Sequence, residues 1–126
     1  MYMILAIAAG GALGSVLRYM LSGFTMEVTD TTFPWGTLSV NVLGSFLMGV
    51  LVASMSLSWN PSAELRAFLT MGLLGGFTTF SLFSLDVITL WERGASMAAM
   101  GYILASILLS LCAIILGIAL VKQVFA

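Results

Sequence analysis

Apolar residues form four long runs along this chain, and polar residues collect in the short breaks between the runs. A helix that crosses a membrane needs about 20 consecutive, mostly apolar residues. Four segments reach that length, at about 2–23, 34–58, 63–91 and 96–122. The intervening turns fall at 25–34, at Asn60 and Pro61, and at 92–94. The pattern therefore predicts four transmembrane helices, with both ends of the chain on one side of the membrane.

Composition places these helices in a membrane rather than in the core of a soluble domain. Hydrophobic residues make up 61% of the 126 residues and charged residues only 7%, whereas soluble domains carry about 25% charged residues. The formal net charge of −1 offers no basic patch for a nucleic-acid partner. With no histidine and one cysteine, Cys112, the sequence lacks the ligands of a Cys/His metal site and the means for an internal disulfide.

The N-terminal segment MYMILAIAAGGALGSVLRYM lacks the basic n-region of a signal peptide, and no polar domain follows it. We therefore expect it to be retained as the first membrane helix. No segment outside the four apolar runs is long enough to fold separately. The whole chain, residues 1–126, is expected to form a single all-α integral membrane domain.

Pairs of small residues predict close association of helices without naming the partner helix, and we expect an oligomer. Pairs of small residues spaced by four let two helix backbones approach closely; they are Gly10/Gly14, Ser45/Gly49, Gly72/Gly76 and Ala113/Gly117. Basic residues divide equally, with Arg66 and Lys122 on one membrane face and Arg18 and Arg93 on the other. Since an excess of Lys and Arg normally sets orientation, the balance has two interpretations. Either a charge-poor chain has little bias by chance, or the chain inserts both ways and forms an antiparallel, dual-topology homodimer.

Polar side chains recur at helical spacing on three of the predicted helices, and residues at such spacing share one helix face. The rows are Thr37, Asn41 and Ser45 on the second helix, Thr78, Ser81 and Ser84 on the third, and Tyr102, Ser106 and Ser110 on the fourth, where Ile114 ends the row. Any single hydroxyl can instead bond the preceding turn of its own helix. Three aligned rows favour a polar pathway at membrane depth.

The chemistry of this pathway suits an anion. Its amide and hydroxyl groups donate hydrogen bonds and carry no full charge. Phe80 and Phe83 lie among the hydroxyls of the third helix, and the edge of an aromatic ring is the positive part of its quadrupole. From spacing alone, the usual expectation for both rings is lipid or core packing. Their interleaving with Ser81 and Ser84 favours the functional interpretation. A dehydrated small ion needs many weak donors, because an isolated ion at low dielectric constant costs on the order of tens of kcal/mol.

The third helix contains three glycines, Gly72, Gly75 and Gly76, followed by Thr78 and Thr79. Glycine and β-branched threonine both weaken a helix, so this stretch predicts either a broken helix or a plain packing kink. A broken helix frees backbone carbonyls, and freed carbonyls suit a hard monovalent cation.

Two charged residues lie about one turn from the membrane surface. Arg18 has two interpretations: its side chain extends to the surface, or it attracts anions at a vestibule. Asp86 lies near the same face and is a candidate partner for Arg18.

Three blocks of residues resemble the Fluc fluoride-channel family, also called CrcB-type proteins. The blocks are GGALGSVLRY (10–19), WGTLSVNVLGSFLMG (35–49) and GLLGGFTTFSLFS (72–84). The resemblance covers essentially the whole chain, with four spans in the expected order. It implies a dual-topology homodimer in the bacterial inner membrane, with two antiparallel pores that export fluoride passively from the cytoplasm.

The same resemblance implies roles for residues of the pathway. Asn41 would be the amide donor to fluoride, and Phe80 and Phe83 would line the path with their ring edges, in pores whose walls come from both subunits. The family's hydroxyl row on the fourth helix is matched by Tyr102, Ser106 and Ser110.

The resemblance also implies a cation site and a vestibule. Gly75 and Thr78 would give backbone carbonyls to a central structural sodium ion, and Arg18 matches the basic residue near the vestibule. One departure from the family pattern is Ile114, which stands where the hydroxyl row can continue.

Two other classes of protein stay open at this point. A small dual-topology multidrug exporter is also a four-span antiparallel dimer, but proton-coupled exchange needs a carboxylate inside the membrane, and Asp86 lies too near the surface. A non-transporting assembly protein would use the polar rows only to bind helices together. We expect a passive channel rather than an enzyme, with sodium and no organic cofactor, and with fluoride, a second copy and membrane lipid as partners.

Overall fold

The computed structural model describes residues 2–29 and 32–125, and these residues are almost entirely helical. The elements are α1 Tyr2–Thr29, α2 Trp35–Leu57, α3 Ala63–Ala67, a π-helical segment Phe68–Leu74, α4 Gly75–Phe77, α5 Phe80–Glu92 and α6 Ser96–Phe125. The stretch from α3 to α5 forms one span, Ala63–Glu92, which we call the third span. Four spans are long and apolar enough to cross a membrane, which confirms the predicted four-helix architecture.

The first helix extends beyond its predicted apolar run. It continues to Thr29, so the turn predicted at 25–34 was placed too early. The hydroxyls of Thr25 and Thr29 donate to the carbonyls of Leu21 and Thr25 at 2.8 and 2.9 Å. Polar side chains therefore continue the helix by bonding its own preceding turn. Asp30, which was assigned to this turn, lies outside the described residues.

The other two predicted turns are confirmed. Ser62 precedes α3 and caps it, since its side chain accepts a hydrogen bond from the amide of Leu65 at 3.2 Å. Between α5 and α6, Gly94 has a φ of +82°. This left-handed conformation favours glycine, which has no Cβ to clash.

Glycines let α1 pack directly on the first half of the third span. A Cβ at Gly10 would lie 2.5 Å from the carbonyl oxygen of Phe68, and one at Gly14 would overlap the carbonyl oxygen of Leu73. From the opposite side, a Cβ at Gly72 would lie 2.9 Å from the Cα of Gly10. At these glycines, the predicted close approach of helix backbones occurs within one chain.

A second glycine seam joins α2 to α6, which pack along each other. A Cβ at Gly49 would overlap the backbone of Ile114, and one at Gly117 would overlap the carbonyl oxygen of Phe46. α5 packs on α6. Leu38, Leu90, Ala99 and Tyr102 form a buried cluster where α2, α5 and α6 meet. The two halves of the third span therefore rest on different helices, the first half on α1 and the second half on α6.

Candidate functional site

The third span is interrupted at Thr78 and Thr79, which we call the break. Thr78 (φ −89°, ψ 159°) and Thr79 (φ −153°, ψ 121°) both have extended backbones, so neither continues the helix. The prediction of a broken third helix is confirmed. α5 begins immediately afterwards, because Thr79 caps it: the Thr79 hydroxyl accepts a hydrogen bond from the amide of Leu82 at 3.2 Å.

Asn41 of α2 bonds both backbone groups of Thr79. Its Nδ2 donates to the Thr79 carbonyl at 3.0 Å, and its Oδ1 accepts from the Thr79 amide at 2.7 Å. The side chain thus supplies the partners that an extended residue cannot find in its own helix. Gly44, nearly one turn further along α2, makes room for the break, since a Cβ there would overlap Cγ2 of Thr78. A carboxamide nitrogen carries two hydrogens, so Asn41 keeps one donor beyond its bond to Thr79.

Arg18 of α1 bonds the other side of the break. Its Nε donates to the carbonyl of Gly76 at 3.2 Å. In an unbroken helix this carbonyl would accept from the amide of Phe80, which lies beyond the break. A positive charge near the carbonyl end of a helix is also favourable. Arg18 is half-buried, and its contact with the broken helix was not among the two interpretations drawn from sequence.

The carbonyls of Gly75 and Thr78 also lose their helical partners at the break. Helical pairing would direct the Thr79 amide to the carbonyl of Gly75 and the Leu82 amide to that of Thr78. Instead, the first amide bonds Asn41 and the second bonds the Thr79 hydroxyl. The carbonyls of Gly75 and Thr78 therefore stay free of these backbone bonds. The family resemblance implied these two carbonyls as ligands of a sodium ion, which stays a prediction.

A groove of about 340 Å³ opens beside the break, between α2, α5 and α6. Its lining consists of Asn41, Gly44, Ser45, Met48, Thr78, Thr79, Phe80, Phe83, Ser106, Ile107, Ser110 and Ile114. Seven of the residues in the predicted polar rows and ring pair meet here: Asn41, Ser45, Thr78, Phe80, Phe83, Ser106 and Ser110. The groove contains no Asp, Glu, Lys or Arg side chain. Its polar groups are therefore amides, hydroxyls and backbone.

Ser106 is the most unusual polar group of this groove. Its side chain is 8% exposed, and its Oγ has no hydrogen-bond partner among the described residues. Ser110, one turn further along α6, lines the same groove, and Ile114 follows with an apolar side chain. Of the hydroxyl row predicted on the fourth helix, Ser106 and Ser110 therefore line the groove, and Ile114 follows them as an apolar residue.

The two phenylalanines form one edge of the groove. The ring centroids of Phe80 and Phe83 lie 5.4 Å apart with an interplanar angle of 43°, and Phe83 also contacts the ring of Tyr102 at 5.2 Å. Phe83 is half-buried, whereas Phe80 is 78% exposed. Phe80 therefore projects out of the chain instead of filling its core.

Two predicted pathway residues are buried and do not line the groove. Tyr102 is fully buried and Thr37 is 8% exposed. The hydroxyl of Tyr102 donates to Oδ2 of Asp86 at 3.1 Å. Asp86, the candidate partner of Arg18 in the sequence, is therefore joined to Tyr102.

Two other predicted pathway residues lie outside this groove. Ser81 and Ser84 are exposed on α5. The Ser84 hydroxyl donates to the carbonyl of Phe80 at 3.0 Å, and the Ser81 hydroxyl lies 3.4 Å from that of Thr79. Within one chain, both hydroxyls thus bond groups of their own segment.

Comparison with known proteins places the chain in a family. The family profile described as "CrcB-like protein, Camphor Resistance (CrcB)" matches residues 5–118. The chain belongs to the CrcB family. A CrcB-family relative from Rhodospirillum centenum, named "Fluoride-specific ion channel FluC", is 53% identical over 126 residues, which cover 100% of both chains. Relatives of the same name from Agrobacterium fabrum and Chelativorans sp. are 50% and 47% identical, over 94% and 98% of this chain and 95% and 99% of their own lengths.

Membership of the CrcB family and four long apolar helices agree on location. The spans have mean hydropathies from 1.6 to 2.8, and the family profile covers all four of them. This CrcB-family chain is a multi-pass protein of the bacterial inner membrane, as its sequence predicted.

Replacing Asn41 with leucine tests how this CrcB-family chain holds its break. Leucine has a similar volume but makes neither bond to Thr79. Each unsatisfied backbone group costs about 1–3 kcal/mol, so we expect the Asn41→Leu variant to lose about 2–6 kcal/mol of unfolding free energy. Chemical unfolding in detergent, followed by circular dichroism, measures the loss.

The matched control is Ser45→Ala, which removes a polar group from the same helix and the same groove without touching the break. We expect its unfolding free energy to stay within about 0.5 kcal/mol of the unmodified protein. Equal stability of the two variants would show that Asn41 does not hold the break.

Proposed function

We propose that this chain is a fluoride-selective channel that exports fluoride passively from the cytoplasm and so reduces its toxicity. Relatives named as fluoride-specific channels are 47% to 53% identical to it over nearly the full chain. The groove beside the break supplies a chemical reason for the same function. Passive conduction needs no reacting group, so no enzymatic role is proposed.

The observation that carries the proposal is the buried, unpartnered hydroxyl of Ser106. Burying a hydroxyl without a partner costs about 1–3 kcal/mol, and this one lies in an uncharged groove at membrane depth. The second amide hydrogen of Asn41 and the hydroxyl of Ser110 lie along the same groove. An anion that loses its water meets several neutral donors here, which replace hydration without a full countercharge.

Phe80 and Phe83 complete this lining in the proposal. The two rings line the groove at a tilt of 43° to each other. In the proposal, their edges, which carry the positive part of the quadrupole, face the passing anion. An edge of this kind attracts an anion weakly and offers no acceptor that would repel it. The rings therefore act as a low-polarity wall that an anion can pass.

A second copy of the chain would close the groove. Phe80, Ser81 and Ser84 are exposed in one chain, although exposed hydroxyls beside an open groove gain nothing from lipid. An antiparallel partner can place these groups against the groove, so that each of two pores has walls from both subunits. The equal division of basic residues between the membrane faces supports insertion in both orientations.

A reporter fused to the C-terminus tests this arrangement. In cells, a dual-topology chain places the reporter on both sides of the membrane in similar amounts. A fusion to Arg93→Ala, which removes one of the two basic residues on one face, should shift the distribution towards one side. A reporter found on one side only, before any substitution, would contradict the antiparallel dimer.

The proposed dimer also accounts for the free carbonyls at the break. Carbonyl oxygens are hard ligands that suit hard cations, and the carbonyls of Gly75 and Thr78 fit such a role because their helical partners are bonded elsewhere. Two chains that meet at their breaks would present four oxygens to one structural sodium ion. Bound there, sodium would supply positive charge that holds the two breaks together.

Fluoride efflux from liposomes tests the proposed function. Vesicles that contain the purified protein and potassium fluoride, with valinomycin to carry the compensating charge, should release fluoride down its gradient at equal pH on both sides. Chloride should leave much more slowly. No fluoride release would contradict the channel and favour an assembly role, whereas release that requires a proton gradient would favour an exporter.

The same vesicles test the sodium site. We expect protein that has been dialysed free of sodium and assayed in potassium salts to lose fluoride efflux, and restored sodium to recover it. Efflux that is unaffected by sodium removal would contradict the sodium site while leaving the channel itself supported.

Substituting either phenylalanine with isoleucine tests the ring edges. Isoleucine is apolar and of comparable bulk but has no quadrupole, so Phe80→Ile and Phe83→Ile should each lower efflux by about tenfold or more. Thermal unfolding of the dimer should change little. Phe24→Ile, at an exposed position of α1 outside the groove, is the control. If both groove variants conduct like that control, the rings only fill space.

A further inference from the structure

We propose that Arg18 is a positioning residue for the carbonyls at the break, and that it acts through its Nε–H donor rather than through its positive charge. The proposal deepens the proposed function, and rests on it where fluoride efflux is the measurement. In this proposal, Arg18 acts through a specific hydrogen bond inside the protein, not by attracting anions at the channel entrance. That bond joins Arg18 Nε to the carbonyl of Gly76 at 3.2 Å.

The glycines of α1 bring its backbone close enough to the third span for Arg18 to reach this carbonyl. Gly10, Gly14 and Arg18 are spaced by four and share one helix face. The two glycines bring the α1 backbone against the π-helical segment and α4; a Cβ at Gly14 would lie 2.9 Å from the amide nitrogen of Phe77. One turn further on, the side chain of Arg18 meets α4 where its helical bonds end. The bond to Gly76 is thus the last contact of a continuous seam.

The bonded carbonyl lies between the two free ones. Gly76 follows Gly75 directly, and Thr78 lies two residues further on. Consecutive peptide planes are linked by only two soft dihedral angles, so fixing the plane that carries the Gly76 carbonyl restricts its neighbours. Asn41 fixes the Thr79 peptide from the other side of the break. Arg18 and Asn41 together therefore set the directions in which the carbonyls of Gly75 and Thr78 point.

Because Nε makes the bond, substitutions of Arg18 can remove the hydrogen-bond donor and the positive charge independently. Nε is the guanidinium nitrogen closest to the backbone, and glutamine carries its Nε2 at the same number of bonds from Cα. Arg18→Gln therefore keeps a donor at this place and removes the charge. Arg18→Lys keeps the charge but has a methylene group at this place, and Arg18→Met, of similar length, has neither donor nor charge.

The three variants are compared by fluoride efflux from liposomes at low and high ionic strength. We expect Arg18→Gln to keep at least about a third of the original efflux, and Arg18→Lys and Arg18→Met to lose about tenfold or more. Ionic strength should not alter this order, because a partly buried bond is screened less than an exposed charge pair. Arg93→Gln, at an exposed turn position, controls for the general loss of one positive charge.

Hydrogen exchange of the backbone amides in residues 75–82, measured on purified protein in detergent, gives a result that does not depend on conduction. Exchange should rise in the Lys and Met variants and stay near the original in the Gln variant. If the unmodified protein conducts no fluoride, the proposed function fails, while exchange still decides the role of Arg18. Equal or better efflux and protection in Arg18→Lys than in Arg18→Gln, or equal behaviour of all three variants, would overturn the proposal.

Discussion

The structure depends on satisfying the backbone of two extended residues inside a span that must cross a membrane. Hydrocarbon offers no hydrogen bonds, so each unpaired amide or carbonyl at that depth costs several kcal/mol, on the order of a whole side chain's burial. Asn41 bonds both backbone groups of Thr79, and Arg18 bonds the carbonyl of Gly76. The break is stable because side chains from two other helices replace its missing helical bonds. The carbonyls of Gly75 and Thr78 are among the groups that these side chains leave for another partner.

The packing of the four spans follows from this requirement. α1 and α2 must both approach the break closely, and each does so where it lacks a Cβ, at Gly14 and Gly44 respectively. Once the third span is broken, its second half leaves α1 and packs on α6. The groove lies where these elements diverge, and its wall includes the residues of the break. One local interruption thus produces both the carbonyl site and the groove.

Features that depend on helical periodicity could be predicted from the sequence, whereas the arrangement of side chains at the break could not. Spans and donor rows on α2 and α6 are visible because each helix keeps one rotational phase along its length. α5 starts a new phase after Thr79, so spacing measured from Thr78 does not carry across; Ser81 and Ser84 consequently lie outside the groove that Thr78 lines. The bonds made by Asn41 and Arg18 were not predictable either, because their partners are backbone groups, which have no letter in a sequence. The π-helical segment Phe68–Leu74 likewise left no periodic signal.

In the proposed pathway, the neutrality of the groove would allow an ion to leave as well as enter. Conduction needs binding that is favourable enough for entry and weak enough for exit, and a full positive charge in an uncharged groove would hold a small anion too strongly. The arginine nearest the break is bonded to a carbonyl at the end of α4, where part of its charge is balanced by the helix dipole. The groove itself is left with the Ser106 hydroxyl, the second amide hydrogen of Asn41 and aromatic edges. In the proposed pathway, an anion would exchange one of these individually weak donors for the next. The apolar Ile114 marks the point where the row of donors on α6 ends.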